Sequence, residues 1–173
     1  YMIDKTQAVI DLVKEVNSEE QLIDGIGLQS HLDEQYPTAK LYERSIKAYA
    51  ETGLDLQITE LDVTVRGNTE ELFESQANYY KGIMSILLKY SDSISAVVFW
   101  GILDSSSWHR SNYPLLFNDN YTAKPSFYSI VELGNTTAGD DDYDDDKKQN
   151  YNILINASFE DNELNNFQPR GNV

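Results

Sequence analysis

The stretch Leu56-Gln57-Ile58-Thr59-Glu60-Leu61-Asp62-Val63 decides the fold. It forms the centre of a predicted strand, residues 54–65, whose first half carries apolar side chains at every second position. This apolar run ends in a pair of carboxylates. In a parallel barrel, polar residues at the carboxyl end of a strand lie at the mouth of the active site, so the stretch indicates such a barrel.

Glu60 and Asp62 stand two residues apart, so we expect both side chains on one face of the strand. We expect Ile58 on that same face, and Thr59, Leu61 and Val63 on the opposite face. The spacing alone also fits a solvated strand end with two exposed acids. That alternative stays open at the level of spacing.

Helical and strand periodicity alternate along the rest of the chain. The predicted elements are, in order, helix 4–16, strand 25–32, helix 38–52 with Thr38 as its cap, strand 54–65, helix 69–90, strand 95–103 and helix 126–133. This alternation implies parallel strands joined by helical crossovers. Three strands make no stable sheet with both faces covered, but they fit as neighbours in a (β/α)8 TIM barrel, so the sequence predicts an α/β fold that is part of one.

Gln29 and His31 end the strand that precedes the carboxylate pair, again two residues apart. Successive strands of a barrel are usually neighbours, so His31 is expected within hydrogen-bonding distance of Glu60. A lone histidine is more often structural. Its position opposite two carboxylates favours the functional interpretation.

Trp100 ends the third predicted strand, and Trp108 follows it in a loop. Sugar rings present apolar C–H faces that stack on indole, while their hydroxyls need hydrogen bonds. Two tryptophans beside a glutamine, a histidine and acids therefore indicate a carbohydrate site. Packing of the aromatics in a core, or Trp108 as a loop anchor, is the structural alternative.

Composition excludes several classes of function. The 173 residues carry a formal charge of −16 and no cysteine, and the sequence pI is about 4.3. Such a surface repels phosphate backbones, so we expect no nucleic-acid partner. No stretch approaches the about 18 apolar residues of a membrane span, so we expect no membrane partner. His31 and His109 lack metal-ligand spacing, so we expect neither a metal nor a cofactor.

The composition changes after Gly134. Residues 135–150 hold a dense acidic run and are predicted to be a linker, because like charges repel and stay solvated. A calcium loop is the alternative, but the glycine and terminal glutamate of an EF-hand are absent. Residues 151–173 begin with an apolar strand and are too short for a core of their own. They are predicted to open a further β-domain.

Four motifs resemble those of the endo-β-1,4-xylanases of glycoside hydrolase family 10. They are residues 24–32 (DGIGLQSHL), residues 58–63 (ITELDV), residues 98–101 (VFWG) with Asp104, Ser107 and Trp108, and residues 114–119 with 124–127 (PLLFND and KPSF). Their order and spacing are those of the sixth to eighth strands and the closing segment of that family. The resemblance covers residues 24–133 and implies the C-terminal part of a barrel, residues 1–134.

The resemblance implies retaining hydrolysis of internal xylan bonds, with Glu60 as the nucleophile. His31 and Asp62 match the residues that hold this carboxylate ionised and oriented, and a hydrogen-bond donor does favour the charged form of a carboxylate. A second carboxylic acid protonates the leaving oxygen and then activates water.

The resemblance also implies a set of substrate-binding residues that line the sugar subsites next to the cleavage point. They are Gln29, His31, Trp100, Trp108 and, by a looser match, Arg110. The implied partner is xylan or a xylo-oligosaccharide, which points to a secreted or cell-surface enzyme, of bacterial origin, because the polymer cannot enter a cell.

The sequence departs from the family in one respect. The glutamate that serves as acid and base lies in a motif on the fourth strand, and this chain has no such motif. We therefore expect the chain to be inactive unless the upstream half of the barrel is supplied, in the same or a separate chain. Residues 156–171 resemble the start of a carbohydrate-binding module of family 4 or 22. A cellulase-type barrel and a non-catalytic carbohydrate-binding fragment remain alternatives.

Overall fold

The computed structural model describes residues 1–137 and 153–155. The helices are α1 (Ile3–Val16), α2 (Ala39–Ala50), α3 (Glu70–Lys89) and α4 (Pro125–Thr137), and the strands are β1 (Gly25–Leu28), β2 (His31–Asp33), β3 (Asp55–Thr64), β4 (Ile94–Phe99) and β5 (Ile153–Ile155). The predicted order of helices and strands is confirmed for residues 1–134. The bounds differ by a few residues at most ends.

The strands form one parallel arrangement in the order β1-β3-β4-β5, and β2 continues the pairing of β1 along β3. Each of β1/β2, β3 and β4 is followed by a helix, as parallel pairing requires. The predicted α/β class with parallel strands is therefore confirmed. No helix of the described residues is long and apolar enough to cross a membrane.

Threonine caps begin the two central helices. The Thr38 side chain accepts a hydrogen bond from the backbone N–H of Leu41, and Thr69 accepts one from Leu72. Each cap satisfies an N–H that the first turn of a helix leaves free, a contribution of about 1 kcal/mol. The prediction of Thr38 as a cap is confirmed.

The core lies between the strands and the helices. Leu56, Ile58 and Leu61 of β3 are fully buried with Ile46 of α2 and Tyr80 of α3. Burying each such side chain stabilises the fold by about 1.5–3 kcal/mol. On the other face of β3, Asp55 and Gln57 are exposed. The helices therefore cover one face of the sheet, and polar side chains lie on the other.

Strand β3 carries one residue more than either neighbour. Between the paired positions Leu28↔Ile58 and His31↔Asp62, β3 advances four residues while β1 and β2 together advance three. Opposite β4, residues 58 to 61 of β3 face residues 97 to 99, three steps against two. Both registers place a β-bulge at residues 59 and 60.

The bulge overturns one prediction about the faces of β3. Ile58 was expected beside Glu60, and Thr59 beside Leu61, but Ile58 and Leu61 are both fully buried in the core. Thr59 and Glu60 are partly exposed, and the Thr59 methyl lies 3.2 Å from the position that a Cβ on Gly27 would take. The extra residue breaks strict alternation, so Glu60 points away from the core although Ile58, two residues before it, does not.

The strand predicted over residues 25–32 is divided in two at Ser30. Ser30 has a φ of 62°, which is outside the extended range, and its hydroxyl lies 2.8 Å from that of the buried Tyr42. The strand predicted over 95–103 likewise ends early, at Phe99, because Gly101 turns the chain with a φ of 131°. A side chain at Gly101 would also meet Leu115 at 2.9 Å.

The C-terminal segments differ from the prediction in two ways. Helix α4 continues to Thr137, into the predicted linker, and β5 pairs in parallel with β4 instead of standing apart from the barrel sheet. Strand β5 thus adds one strand to the sheet at the edge formed by β4. The rest of the predicted linker and β-domain lies outside the described residues.

Candidate active site

His31, Glu60 and Asp62 form a cluster at the carboxyl ends of β2 and β3. The His31 Nε2 atom lies 3.1 Å from Glu60 Oε2, and Nδ1 lies 3.0 Å from Asp62 Oδ2. The first contact is a hydrogen bond, and the second has the distance of an ion pair without the alignment of a hydrogen bond. Asp62 is fully buried, whereas the His31 and Glu60 side chains are each 21% exposed. The sequence prediction that His31 lies beside Glu60 is confirmed.

Backbone register brings these side chains together. His31 pairs with Asp62 across β2 and β3, and the Glu60 N–H donates to the carbonyl of Gln29 at 3.1 Å. The bulge supplies the extra length that lets Glu60 and Asp62 both contact one imidazole. Three side chains from two strands are thus placed by main-chain hydrogen bonds.

The electrostatics of the cluster favour a charged imidazole. Burial lowers the pKa of His31, but the contacts with Asp62 and Glu60 outweigh it, so this pKa lies above its ordinary value. A protonated ring carries an N–H on both nitrogens, so Nε2 donates to Glu60 while Nδ1 faces Asp62 at ion-pair distance. His31 therefore orients Glu60 with the buried Asp62 as its anchor.

Trp108 joins the cluster from the loop after β4. Its indole Nε1–H donates to Asp62 Oδ2 at 2.8 Å, and its ring centroid lies 4.6 Å from that of His31. His109 lies on the same indole at 3.9 Å. Trp108 is nonetheless 57% exposed, so it presents a large apolar surface beside His31. That surface suits the apolar face of a sugar ring.

The remaining predicted site residues are less tightly fixed. Gln29 is exposed, and its backbone carbonyl accepts a hydrogen bond from the Glu60 N–H. Trp100 directly follows β4, is partly exposed, and donates its backbone N–H to the Leu61 carbonyl. Arg110 is exposed at the start of a short 3-10 helix and forms no ion pair within residues 1–137. The structure therefore places Gln29 and Trp100 next to the cluster and does not bring Arg110 into it.

Sequence reasoning missed the residues that hold the loop of Trp108. Asp104 and Lys124 form a buried ion pair with 3.0 Å between Oδ2 and Nζ. Burial raises the pKa of Asp104 and lowers that of Lys124. Both residues belong to the sequence motifs quoted above, but the spacing of those motifs did not indicate that they form an ion pair.

Gln76 of α3 ties the same loop to β3. Its side chain is buried, and its Nε2 donates to the carbonyls of Val63 and Tyr113 at 2.6 and 2.7 Å. In the sequence, Gln76 is a polar residue within a helix, which is equally typical of a surface position. The loop is thus fixed by contacts between residues distant in sequence.

The cluster leaves one acceptor without a partner. Asp62 Oδ1 is buried and has no hydrogen-bond partner within the described residues. Within the same residues no group of three histidine, cysteine, aspartate or glutamate side chains could hold a metal ion. Asp62 Oδ1 therefore has the capacity to accept one further hydrogen bond.

The parallel sheet carries a carboxylate, a histidine and an exposed indole at its carboxyl edge, an arrangement that fits the glycosidases with a (β/α)8 barrel. The profile of Glycosyl hydrolase family 10 matches residues 1–133, and the chain belongs to that family. Its sequence is 43% identical over 111 residues to the bifunctional endo-1,4-beta-xylanase XylA of Ruminococcus flavefaciens, which is 64% of this chain and 11% of that protein.

Solved structures of the family agree with this fold. The GH10 xylanase of Thermobacillus composti superposes with a TM-score of 0.70 at 33% identity, over 75% of this chain and 48% of that one. Xylanase10C of Cellvibrio japonicus, in complex with xylopentaose, superposes with a TM-score of 0.70 at 25% identity, over 74% of this chain and 30% of that one. The chain thus spans less than half the length of these relatives.

Proposed function

We propose that this chain is the nucleophile-bearing part of a retaining endo-1,4-β-xylanase. The observation that carries the proposal is the contact of His31 with both Glu60 and Asp62, with Trp108 donating to Asp62. Glu60 is the partly exposed acid of this group, and Asp62 is its buried support. This division of exposure suits a nucleophile and its anchor.

The proposed chemistry follows from these positions. Glu60 attacks the anomeric carbon as the bond to the leaving oxygen breaks, and a second carboxylic acid protonates that oxygen. The resulting glycosyl-enzyme is hydrolysed by water, which the same second residue deprotonates as it attacks. His31 directs an N–H to Glu60 and so stabilises the carboxylate released when the glycosyl-enzyme breaks down.

We propose that the second carboxyl group is supplied by residues other than 1–173. Retaining glycosidases hold their two carboxyl groups about 5–5.5 Å apart. Asp62 is near Glu60, but its buried oxygen is already engaged by His31 and Trp108, so it does not protonate a leaving group. We therefore propose that the upstream half of the barrel supplies the acid/base residue, in the same or a separate chain.

This half is also expected to complete the polar environment. Asp62 Oδ1, which has no hydrogen-bond partner among the described residues, is proposed to accept a hydrogen bond from that half. The chain spans 48% and 30% of the two solved relatives described above. Residues 1–134 correspond in this proposal to strands six to eight of the barrel. The acidic segment after them is proposed as a linker and residues 151–173 as the start of a carbohydrate-binding module.

Xylan is the proposed substrate. The relatives described above are named xylanases, and one was solved with xylopentaose. A chain with a charge of −16 suits a neutral polymer better than an anionic one. Because that polymer stays outside the cell, we propose a secreted or cell-surface enzyme.

Reducing-sugar release from xylan and from carboxymethyl cellulose tests the proposal. We expect the chain combined with the upstream half to hydrolyse xylan, with retention visible in the first-formed anomer by NMR. The chain alone is expected to release nothing. Hydrolysis of xylan by residues 1–173 alone would contradict the assignment of the acid/base group, and preference for cellulose would contradict the substrate.

A further inference from the structure

A buried ion pair lies outside the carboxylate cluster. Lys124 Nζ is 3.0 Å from Asp104 Oδ2, and the two side chains are 2% and 4% exposed. Removing two charges from water is costly, and apolar side chains of similar volume often give a fold that is at least as stable. Fold stability therefore does not by itself account for this pair.

The aspartate of the pair sets the direction of the chain before Trp108. Asp104 begins a short 3-10 helix, and its Oδ1 accepts a hydrogen bond from the Leu115 N–H at 2.7 Å. The Ser107 N–H then donates to the Asp104 carbonyl at 3.2 Å. Trp108 is the next residue, so the position of its Cα follows from that of Asp104.

The lysine of the pair holds the far end of the same loop. Lys124 Nζ donates to the Tyr113 carbonyl at 2.6 Å and lies 4.7 Å from the centroid of the Phe73 ring. Tyr113 has a φ of 46°, a left-handed conformation that costs free energy outside glycine. One ammonium group thus contacts the loop on both sides of Trp108.

Trp108 depends on this loop for its position. Its ring is mostly exposed, so the core does not fix it, and Asp62 Oδ2 is the acceptor of its N–H. The same oxygen lies 3.0 Å from His31 Nδ1. A shift of the loop therefore removes a donor from Asp62 and alters the support of the ring that orients Glu60.

We propose that Lys124 and Asp104 are positioning residues for catalysis, acting through Trp108 on Asp62, His31 and Glu60. The proposal rests on the proposed function of Glu60 as nucleophile. It assigns the pair a role in turnover that is separable from its role in stability. Lys124 and Asp104 themselves do not touch substrate.

The test is a double-mutant cycle in the enzyme with both barrel halves. Lys124→Met with Asp104→Asn removes both charges and keeps an acceptor for Leu115, so the Tm stays close to that of the parent. We expect kcat/KM on xylan to fall about 10²-fold, since small misplacements in an active site cost that much. In a Trp108→Phe background the same two changes should cost less than about threefold, because the route is already broken.

Two further measurements keep the test decisive. Hydrogen exchange of the Trp108 indole N–H, followed by NMR, should speed up at least about tenfold in the pair variant, with Trp100 as internal reference. This readout needs no turnover, so it tests the positioning even if the parent fails to hydrolyse xylan. Lys81→Met, which breaks the exposed ion pair with Glu132, is the matched control and should change neither quantity.

Parent-like kcat/KM and parent-like indole exchange in the pair variant would reduce the ion pair to a structural role and overturn the proposal. An equal loss of kcat/KM with and without Trp108 would also overturn it, because the pair would then act by another route. If the double variant does not fold, Lys124→Gln with Asp104→Asn, which replaces the ion pair by two neutral amides and keeps the Leu115 contact, carries the same two measurements.

Discussion

Two regions of this chain build the candidate site in different ways. His31, Glu60 and Asp62 stand on strands, and main-chain pairing between β2 and β3 places them. Trp108 and Arg110 stand on the loop after β4, and that loop is placed by the buried side chains of Gln76 on α3 and Lys124 just before α4. The strand region is fixed by register, and the loop region by contacts between residues far apart in sequence.

This difference predicts how each region responds to substitution. Strand-borne side chains keep their position when a neighbour changes, because the backbone holds them. The loop-borne indole has no such support and depends on the network around it. Replacing a residue of the strand region should therefore remove chemistry with little structural change, whereas replacing one in the loop region should move the site.

The largest effect is expected at the strand-borne nucleophile. Glu60→Gln should lower kcat on xylan by at least about 10⁴-fold in the enzyme with both barrel halves, because the amide does not attack the anomeric carbon. The Tm should change little. With Glu60→Ala, azide should restore turnover and give a product of inverted configuration, since it enters from the face that the carboxylate has left.

Glu74→Gln, an exposed acid on α3, is the control for that experiment and should retain parent activity. A Glu60→Gln variant that keeps more than a tenth of the parent kcat would contradict the nucleophile assignment. The strand region would then have no assigned role in the reaction.

Trp108→Phe tests the loop region and should have the second-largest effect. The change removes the N–H from Asp62 and keeps an aromatic surface, so the free energy of unfolding should fall by about 1–3 kcal/mol and kcat should fall with it. Trp100→Phe is the matched variant and should act mainly on KM, because it leaves the Asp62 contact intact. Equal changes in kcat and KM for the two variants would contradict a specific role of the contact between Trp108 and Asp62.

The pH dependence of the Tm tests whether the His31 imidazolium stabilises the strand region. Because the pKa of His31 is raised in the folded protein, its imidazolium stabilises the fold fully below its ordinary pKa of about 6.5. This stabilisation is lost as the pH rises through the higher pKa of the folded state. We expect the Tm of the parent to fall more steeply above pH about 6.5 than that of His31→Gln. Parallel curves would show that His31 carries no such linkage.

The smallest effect is expected at Arg110. The side chain is exposed and makes no ion pair in the described part of the chain, so Arg110→Ala should change the free energy of unfolding by less than about 0.5 kcal/mol. A rise in KM for long xylo-oligosaccharides without a change in Tm would show that the loop reaches the substrate. No change in KM would remove Arg110 from the predicted binding set.

The sequence predicted what depends on local pattern. The order of elements, the Thr38 cap and the contact between His31 and Glu60 follow from periodicity, capping preference and the rule that successive strands are neighbours. These are properties of one element or of two consecutive ones. The resemblance to the family is confirmed by the match over residues 1–133.

The sequence did not predict features that depend on how one strand or loop packs against another. The bulge in β3 exists only relative to β1, β2 and β4, so no reading of β3 alone shows that Ile58 turns into the core. Lys124 and Asp104 are 20 residues apart, and charged residues are normally read as surface. Their burial follows from the packing of the loop against α3, which spacing does not encode.

The site depends on the number of residues in β3. The alternation of side chains between the two faces of the strand changes by one residue at the bulge formed by Thr59 and Glu60. Deleting Thr59 would leave the later side chains on their present faces and restore one-to-one pairing, but it would remove the bulge that lets Glu60 and Asp62 both contact His31. Exchanging Thr59 for serine or valine keeps the bulge, so this position tolerates a change of side chain far better than a change in the number of residues.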